Sequence, residues 1–222
     1  MADYNRCGVP LIEMVSEPDL RSAEEAKAYM EAITNILLYL GISDAKMQEG
    51  SVRADVNVSV RPRGQKEFGT RTEMKNVNSF GAVYRAIQYE AQRQIEVIRK
   101  GGVIEQETRR WDENKDATFA MRSKENAQDY RYFPEPDIPP LEITEEYLER
   151  IRAQIPEMAE EKAARYQSQW GLPAYDAQML TGEKALADFF EETVALGAPP
   201  KQAANWIMGE VLRRLSADGL EA

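Results

Sequence analysis

Residues 47–80 read MQEGSVRADVNVSVRPRGQKEFGTRTEMKNVNSF and contain the clearest strand pattern in the chain. Over residues 52–60, apolar and polar side chains alternate with a period of two, which is typical of a strand with one packed face and one polar face. A second run follows a turn and places Arg71, Glu73 and Lys75 on one side of another predicted strand. The pattern therefore predicts a β-hairpin.

The polar face of this hairpin carries charges of both signs. If the two strands pair, five charged side chains share one surface: Arg53, Asp55, Arg71, Glu73 and Lys75. The carboxylates could hold a divalent cation, because hard ions such as Mg²⁺ take oxygen ligands, while arginine and lysine could hold phosphate oxygens. Cross-strand ion pairing on a solvated sheet face explains the same pattern. Periodicity alone does not distinguish the two interpretations.

Composition limits the chemistry that is available. The chain has 222 residues, a net charge of −10, one cysteine (Cys7) and no histidine. The acidic balance argues against nonspecific nucleic-acid binding over the whole surface, although a local basic patch could face a polyanion. Without histidine, acid–base or metal chemistry within this chain must use carboxylates, lysine, tyrosine or Cys7. The same composition bears on the compartment. The chain has a lone cysteine, no apolar run near ~20 residues and no signal peptide. These features predict a cytoplasmic protein with no membrane contact.

Residues 9–15 are predicted to form a first strand, and Glu13 lies in the middle of this almost entirely apolar segment. An ionised carboxylate buried there would cost several kcal/mol unless it were paired or bound to a cation. A partner arginine, Arg6 or Arg53, and a metal ion are the two explanations that the sequence leaves open.

Two long helices lie on either side of the hairpin in the sequence. A capping-box pattern at Ser22 predicts a helix that ends at Gly41, and a second helix is expected over residues 79–100. The inward side chains of the second helix are expected to be Val83, Ile87, Ala91, Ile95 and Ile98. Asn76 lies just before this helix, where backbone N–H groups can either receive an anion or be capped.

The rest of the chain divides into strands and then helices. Residues 103–111 and 117–122 are predicted as two further strands, while the four prolines of residues 130–140 are incompatible with a helix or a central strand. Beyond them, alanine, glutamate, leucine and lysine recur with helical spacing. We therefore predict an α+β domain over residues 1–143 and a small all-α domain over residues 144–222.

Four longer motifs allow a comparison with a known family. They read NRCGVPLIEMVSEPDLRSAEEA, EGSVRADVNVSV, FGTRTEMKNVNSF and DYRYFPEPDIPPL, in this order along the chain. Together they resemble GatB, the B-subunit family of bacterial glutamine-dependent aspartyl/glutamyl-tRNA amidotransferases. The resemblance extends over essentially all of the chain, including AANWIMGEVL in the helical part.

The resemblance implies a fold and an activity. The fold would be part of a glutamine-synthetase-like cradle, with a mixed or antiparallel sheet and two long helices, followed by the helical domain. The activity would be that of an ATP-dependent carbon–nitrogen ligase. It would use ATP and Mg²⁺ to phosphorylate the side-chain carboxyl of Glu-tRNA(Gln) or Asp-tRNA(Asn), which ammonia then amidates. The implied partners are an amidase (glutaminase) subunit, which releases the ammonia from glutamine, and a small third subunit that completes a heterotrimer.

The resemblance also implies roles for the charged residues. Glu13 stands where the family places an Mg²⁺ ligand, and Asp55 and Glu73 are the next candidate metal ligands. Catalytic roles are expected for Glu13, Glu73 and Lys75, and cofactor contacts for Arg53, Arg71 and Asn76.

Two further expectations follow from the resemblance. Family members begin with an additional stretch that carries a histidine and further glutamates, and they end in a tail domain. We therefore expect this chain to be a fragment that lacks both parts and is inactive alone. The competing interpretations are a non-catalytic tRNA-binding or scaffold module of the same complex, and a metal-dependent nuclease or other phosphoesterase.

Overall fold

The computed structural model describes residues 9–123, 137 and 139–220. Along this part of the chain, a helix, a hairpin, a second helix and a second hairpin are followed by a series of helices. This order confirms the α+β class, whereas the more specific glutamine-synthetase-like cradle stays a prediction. Arg6, Cys7, Lys124 and the aromatic start of the proline-rich segment lie outside the described residues.

Helix α1, Ala23–Leu40, begins and ends where its sequence predicts. The Ser22 hydroxyl accepts a hydrogen bond from the Glu25 backbone N–H at 3.1 Å, which satisfies one of the free donors of the first turn. Gly41 ends the helix in the left-handed region, with φ of 63°. Local capping chemistry therefore sets both ends of α1.

The sheet has four strands in sequential order and mixed direction. The first pair and the last pair are antiparallel, which confirms the predicted hairpin, and the two middle strands run parallel. The strands are β1 (Ala54–Val58), β2 (Thr72–Val77), β3 (Glu107–Asp112) and β4 (Ala117–Ser123). Parallel neighbours need a crossover connection, and here this connection is a helix.

Helix α2, Phe80–Arg99, is that crossover, and it covers one face of the sheet. Its cap is Ser79, whose hydroxyl accepts from the Ala82 N–H at 3.0 Å. The apolar core between helix and sheet consists of Met74, Val77, Ala82, Val83, Ala86 and Trp111. We call the side of the sheet that packs on α2 the inner face and the opposite side, which carries Asp55 and Glu73, the outer face.

The predicted strand over residues 9–15 is wrong: this segment has no regular secondary structure and precedes α1 as an exposed chain. Leu11 is 92% exposed and Val15 is 84% exposed, and Glu13 is also exposed. A strand that is apolar on both faces needs hydrogen-bonding neighbours and cover on each side, and the segment pairs with none of the four strands of the described sheet. Its apolar sequence therefore does not lead to a strand here.

The helical part follows β4 and begins at Thr144, whose hydroxyl accepts from the Tyr147 N–H at 3.2 Å. Its core surrounds Tyr166 and Phe190, both of which are fully buried. Its elements are α3 (Glu145–Arg152), α4 (Ala159–Trp170), α5 (Ala174–Thr181), α6 (Lys184–Ala195), α7 (Pro200–Trp206), a π-helical turn (Ile207–Val211) and α8 (Leu212–Asp218). Pro173 lies directly before α5, and Pro199 and Pro200 lie at the start of α7.

The first helix joins the two parts. The Tyr39 hydroxyl donates to the Thr181 carbonyl at 2.8 Å, and the Asn35 side-chain amide donates to the Gly182 carbonyl at 2.8 Å. The domain limits at residue 143 stay a prediction, since these bonds link elements on either side of that position.

In the described part of the chain, no helix is both long and apolar enough to span a bilayer.

Candidate functional site

The outer face of the sheet brings together most of the charged residues that the sequence singles out. Asn57 on β1 is paired with Glu73 on β2, and Glu73 is in turn paired with Thr108 on the parallel strand β3. Asp55 and Lys75 lie next to this row on the same face, because successive side chains of a strand point to opposite sides. The pairing of β1 with β2 thus produces the shared polar surface that the alternation predicts.

Lys75 forms ion pairs with both carboxylates of this face. Its ammonium nitrogen lies 2.8 Å from Asp55 Oδ2 and 3.5 Å from Glu73 Oε1. The hydrogen bond to Asp55, together with the negative charge of both carboxylates, raises the pKa of Lys75 despite some burial. The cross-strand ion pair that the sequence left open is therefore present, and the two carboxylates converge on one cationic group.

An irregularity in the hairpin lies next to this ion pair. The register between β1 and β2 shifts between Ala54 and Val56, and Asn76 on β2 adopts a φ of 67°. Asparagine tolerates this left-handed conformation better than most residues. The Asn76 side-chain amide donates to the Trp111 carbonyl at 3.0 Å, so it links β2 to β3. The structure thus gives Asn76 a role in sheet geometry, and its predicted cofactor contact stays a prediction.

A shallow pocket of about 110 Å³ opens on the outer face beside the ion pair. It is lined by Asn57, Arg71, Glu73, Gln106, Glu107 and Thr108. Pockets that hold drug-sized ligands are typically about 300–1,000 Å³. This pocket is therefore too small for a whole nucleotide and large enough only for a small group.

The Glu73 carboxylate is held from the neighbouring strand. Thr108, which is only 6% exposed, donates its hydroxyl proton to Glu73 Oε2 at 2.7 Å. No sequence signal indicates this contact, since parallel register cannot be obtained from the pattern of either strand alone. Thr108, Gln106 and Glu107 are thus pocket residues that sequence reasoning missed.

Glu13 and Arg53 are not assembled into this cluster. In the residues that the structure describes, no three histidine, cysteine or acidic side chains lie close enough to hold a metal ion, so Glu13 does not join Asp55 and Glu73. The Arg53 guanidinium lies beside Gly50 in the turn before β1. Mg²⁺ often uses only one or two protein carboxylates in addition to phosphates and water. The Asp55–Glu73 pair is chemically suited to that ion, provided that Lys75 moves.

A buried glutamate lies behind the site, on the inner face. Glu90 of α2 is fully buried, and its carboxylate accepts hydrogen bonds from Thr72 at 2.8 Å, Thr118 at 2.9 Å and Gln94 at 3.1 Å. Arg93 adds two more, at 2.6 and 3.0 Å. Burial by itself would raise the pKa of Glu90, but the hydrogen bonds, that from Arg93 foremost, outweigh it and lower the pKa.

The Glu90 cluster reaches the edge of the pocket through β3. Arg109 lies 3.4 Å from Glu90 Oε2, donates to the Thr118 hydroxyl at 2.8 Å and also pairs with Glu107, which lines the pocket.

The sequence of α2 predicted that its inward side would be apolar. This prediction is correct for Val83 but not for Ile98, which is 44% exposed. The helical spacing of positions 83, 86, 90 and 94, with an arginine at position 93, is the signal that could have revealed a buried glutamate.

Comparison with known families identifies the family to which this part of the chain is similar. The model of a family described as the GatB/GatE catalytic domain matches residues 1–149, which include all four strands of the sheet.

Curated relatives match along the whole chain. The chain is 59% identical over 221 residues to the B subunit of the aspartyl/glutamyl-tRNA(Asn/Gln) amidotransferase of Caldicellulosiruptor saccharolyticus, covering 100% of this chain and 46% of that protein. It is 59% identical over 222 residues to the protein of the same name from Lachnoclostridium phytofermentans, again covering 100% and 46%. For Streptococcus pneumoniae the identity is 56% over 217 residues, covering 98% and 45%. The chain spans about half the length of the curated relatives it matches.

Proposed function

The chain belongs to the GatB/GatE catalytic-domain family, and we propose that it contributes the phosphorylating part of a glutamine-dependent aspartyl/glutamyl-tRNA amidotransferase. The observation that carries this proposal is the outer face, where Asp55, Glu73 and Lys75 converge beside a pocket that Arg71 lines. A phosphoryl-transfer site mainly has to position anions and offset their charge. Two carboxylates and two cationic side chains at one face of the sheet supply both functions.

The proposed reaction has two steps. A side-chain carboxylate oxygen of Glu-tRNA(Gln) or Asp-tRNA(Asn) takes the γ-phosphoryl group of ATP, and ADP leaves. Ammonia then attacks the carbonyl carbon of this acyl phosphate, the C–O bond to phosphate breaks, and phosphate leaves as the amide forms. The amidase partner would supply the ammonia and the small third partner would complete the complex, in the cytoplasm.

We assign proposed roles to the charged residues at this face, Asp55, Glu73, Arg71 and Lys75. Asp55 and Glu73 would hold Mg²⁺, which when bound would offset charge on the ATP phosphates. Arg71 would contact phosphate oxygens from the wall of the small pocket, and Lys75, once released from the carboxylates, would do the same. Glu13 stays a proposed third ligand, which requires residues 9–15 to fold onto this face.

A second candidate function is a scaffold or tRNA-binding module without catalysis. The observation that favours it is that Lys75 already gives both Asp55 and Glu73 a cationic partner in an ordinary cross-strand ion pair. In that case the outer face would be an ordinary solvated sheet surface, and Arg71 would at most hold an RNA phosphate.

The decisive experiment places this chain in a complete complex. The matching segment of the Caldicellulosiruptor saccharolyticus protein is replaced by this chain, and the chimaera is assembled with its partner proteins. ATP- and glutamine-dependent amidation of Glu-tRNA(Gln) is then measured for the unsubstituted chimaera and for Asp55→Ala and Glu13→Ala. The matched control is Glu67→Ala, which removes an exposed carboxylate from the loop between β1 and β2.

We expect Asp55→Ala and Glu13→Ala each to lower turnover by at least ~100-fold, in line with the loss of a charge-stabilising group. Affinity for tRNA should change little, and Glu67→Ala should retain normal turnover. If both variants turned over substrate normally, Asp55 would be only an ion-pair partner of Lys75, Glu13 would have no part in the reaction, and the scaffold function would be correct.

A further inference from the structure

The hydrogen bond between Thr108 and Glu73 differs from the other contacts of the pocket because its donor is buried. Thr108 is 6% exposed, and its hydroxyl lies 2.7 Å from Glu73 Oε2, whereas Glu73 Oε1 faces the Lys75 ammonium at 3.5 Å. The two carboxylate oxygens therefore face different groups. Oε2 is directed to Thr108 on β3, and Oε1 is directed to the Lys75 ammonium.

This arrangement restricts a flexible side chain. A glutamate has three rotatable side-chain bonds, and a charge-assisted hydrogen bond to one oxygen fixes the orientation of the other. The donor comes from β3, whose backbone is paired with β2 directly at Glu73 and Thr108. The orientation of the carboxylate is thus coupled to the register of the two parallel strands.

We propose that Thr108 is a positioning residue: its hydroxyl holds Glu73 so that Oε1 is directed to the metal ion that Glu73 would share with Asp55. The inference rests on the proposed function, because it assigns Thr108 a role in the metal and phosphate chemistry of the same site. Partners that orient a metal ligand in this way typically affect metal affinity by about 10–100-fold.

The inner face of the same sheet offers a matched control. Thr118 on β4 is 3% exposed and donates its hydroxyl to Glu90 Oε2 at 2.9 Å, so it makes the same kind of bond to a carboxylate on the inner face. Its link to the pocket is indirect and runs through Arg109 and Glu107. Replacing either threonine with valine removes a hydroxyl and conserves shape. An effect that both variants share reflects sheet stability, and an effect unique to Thr108 reflects positioning.

The experiment uses the chimaeric complex described above with Thr108→Val, Thr108→Ser and Thr118→Val. Mn²⁺ binding in the presence of ATP is titrated by electron paramagnetic resonance, and KM for the metal–ATP complex is measured separately from kcat. We expect Thr108→Val to weaken Mn²⁺ binding roughly 10-fold. Thr108→Ser, which retains the hydroxyl, should restore most of the affinity, and Thr118→Val should leave it unchanged.

The outcomes separate this inference from the proposed function. If Thr108→Val binds Mn²⁺ as tightly as the unsubstituted complex, or if Thr118→Val weakens binding equally, the positioning role is wrong even where amidation proceeds. If the unsubstituted complex binds Mn²⁺ but does not amidate Glu-tRNA(Gln), the proposed function fails instead. If it does not bind Mn²⁺ at all, both are overturned.

Discussion

Removal of the Glu90 carboxylate should destabilise the α+β part of the chain more than any exposed substitution on the same helix. This one side chain accepts hydrogen bonds from β2 through Thr72, from β4 through Thr118 and from its own helix through Arg93. Its loss would leave two hydroxyl groups and a half-buried guanidinium with fewer partners. Breaking a buried ion pair by removing one partner costs about 3–5 kcal/mol.

The lower end of this range is expected for Glu90→Ala. Thr72 and Gln94 stay hydrogen-bonded to each other at 2.9 Å, and Arg109 retains Glu107. We therefore expect a loss of about 3 kcal/mol in the free energy of unfolding. The measurement is urea denaturation of the chain, monitored by circular dichroism.

The control for this measurement is Glu96→Ala on the exposed side of α2, where the Glu96 carboxylate accepts a surface hydrogen bond from Gln92 at 3.1 Å. Its effect should stay within about 0.5 kcal/mol. A Glu90→Ala variant no less stable than Glu96→Ala would refute the claim that the buried carboxylate joins the sheet to the helix.

Acid should reveal the same contribution. The pKa of Glu90 is lower in the folded chain than its ordinary value, so the unfolded chain takes up this proton more readily. The stabilisation is therefore complete above the unfolded pKa of about 4.3 and is lost as pH falls through the lower, folded value. Stability should therefore fall more steeply for the unsubstituted chain than for Glu90→Gln as the pH is lowered from about 4.3 through the folded pKa.

Two further substitutions test the packing of the chain, both by urea denaturation. A Cβ added at Gly69 would overlap the Val60 carbonyl oxygen at the base of the hairpin loop. Gly69→Ala should therefore lower the free energy of unfolding by about 1–3 kcal/mol. Gly209→Ala is the control, because its Cβ meets open space and should leave the free energy of unfolding unchanged. Equal stability of the two variants would contradict the close approach at Gly69. Tyr39→Phe would leave the Thr181 carbonyl without its buried donor and should lower the free energy of unfolding by about 1–2 kcal/mol. An unchanged free energy would contradict a stabilising bond between Tyr39 and Thr181.

Local signals account for the elements that sequence reasoning predicted correctly. Ser22, Gly41 and Ser79 mark helix ends because capping depends on residues within one turn of the terminus. The hairpin was predictable for a similar reason, since a period of two and a turn lie within one short stretch. These features need no knowledge of the rest of the chain.

The wrong strand at residues 9–15 illustrates the limit of such signals. Its apolar pattern is suited to a covered strand, but a strand exists only where other strands supply hydrogen bonds. Whether a partner strand is present is a property of the whole fold, so the burial predicted for Glu13 did not follow from its neighbours.

From the amino-acid sequence one obtains the α+β class, the helix limits and the polar face that carries Asp55, Glu73 and Lys75. Tertiary structure adds the parallel register that places Thr108 against Glu73 and the helix position that buries Glu90. The physical reason is that capping and alternation are local, whereas strand register and burial depend on contacts between residues far apart in the chain.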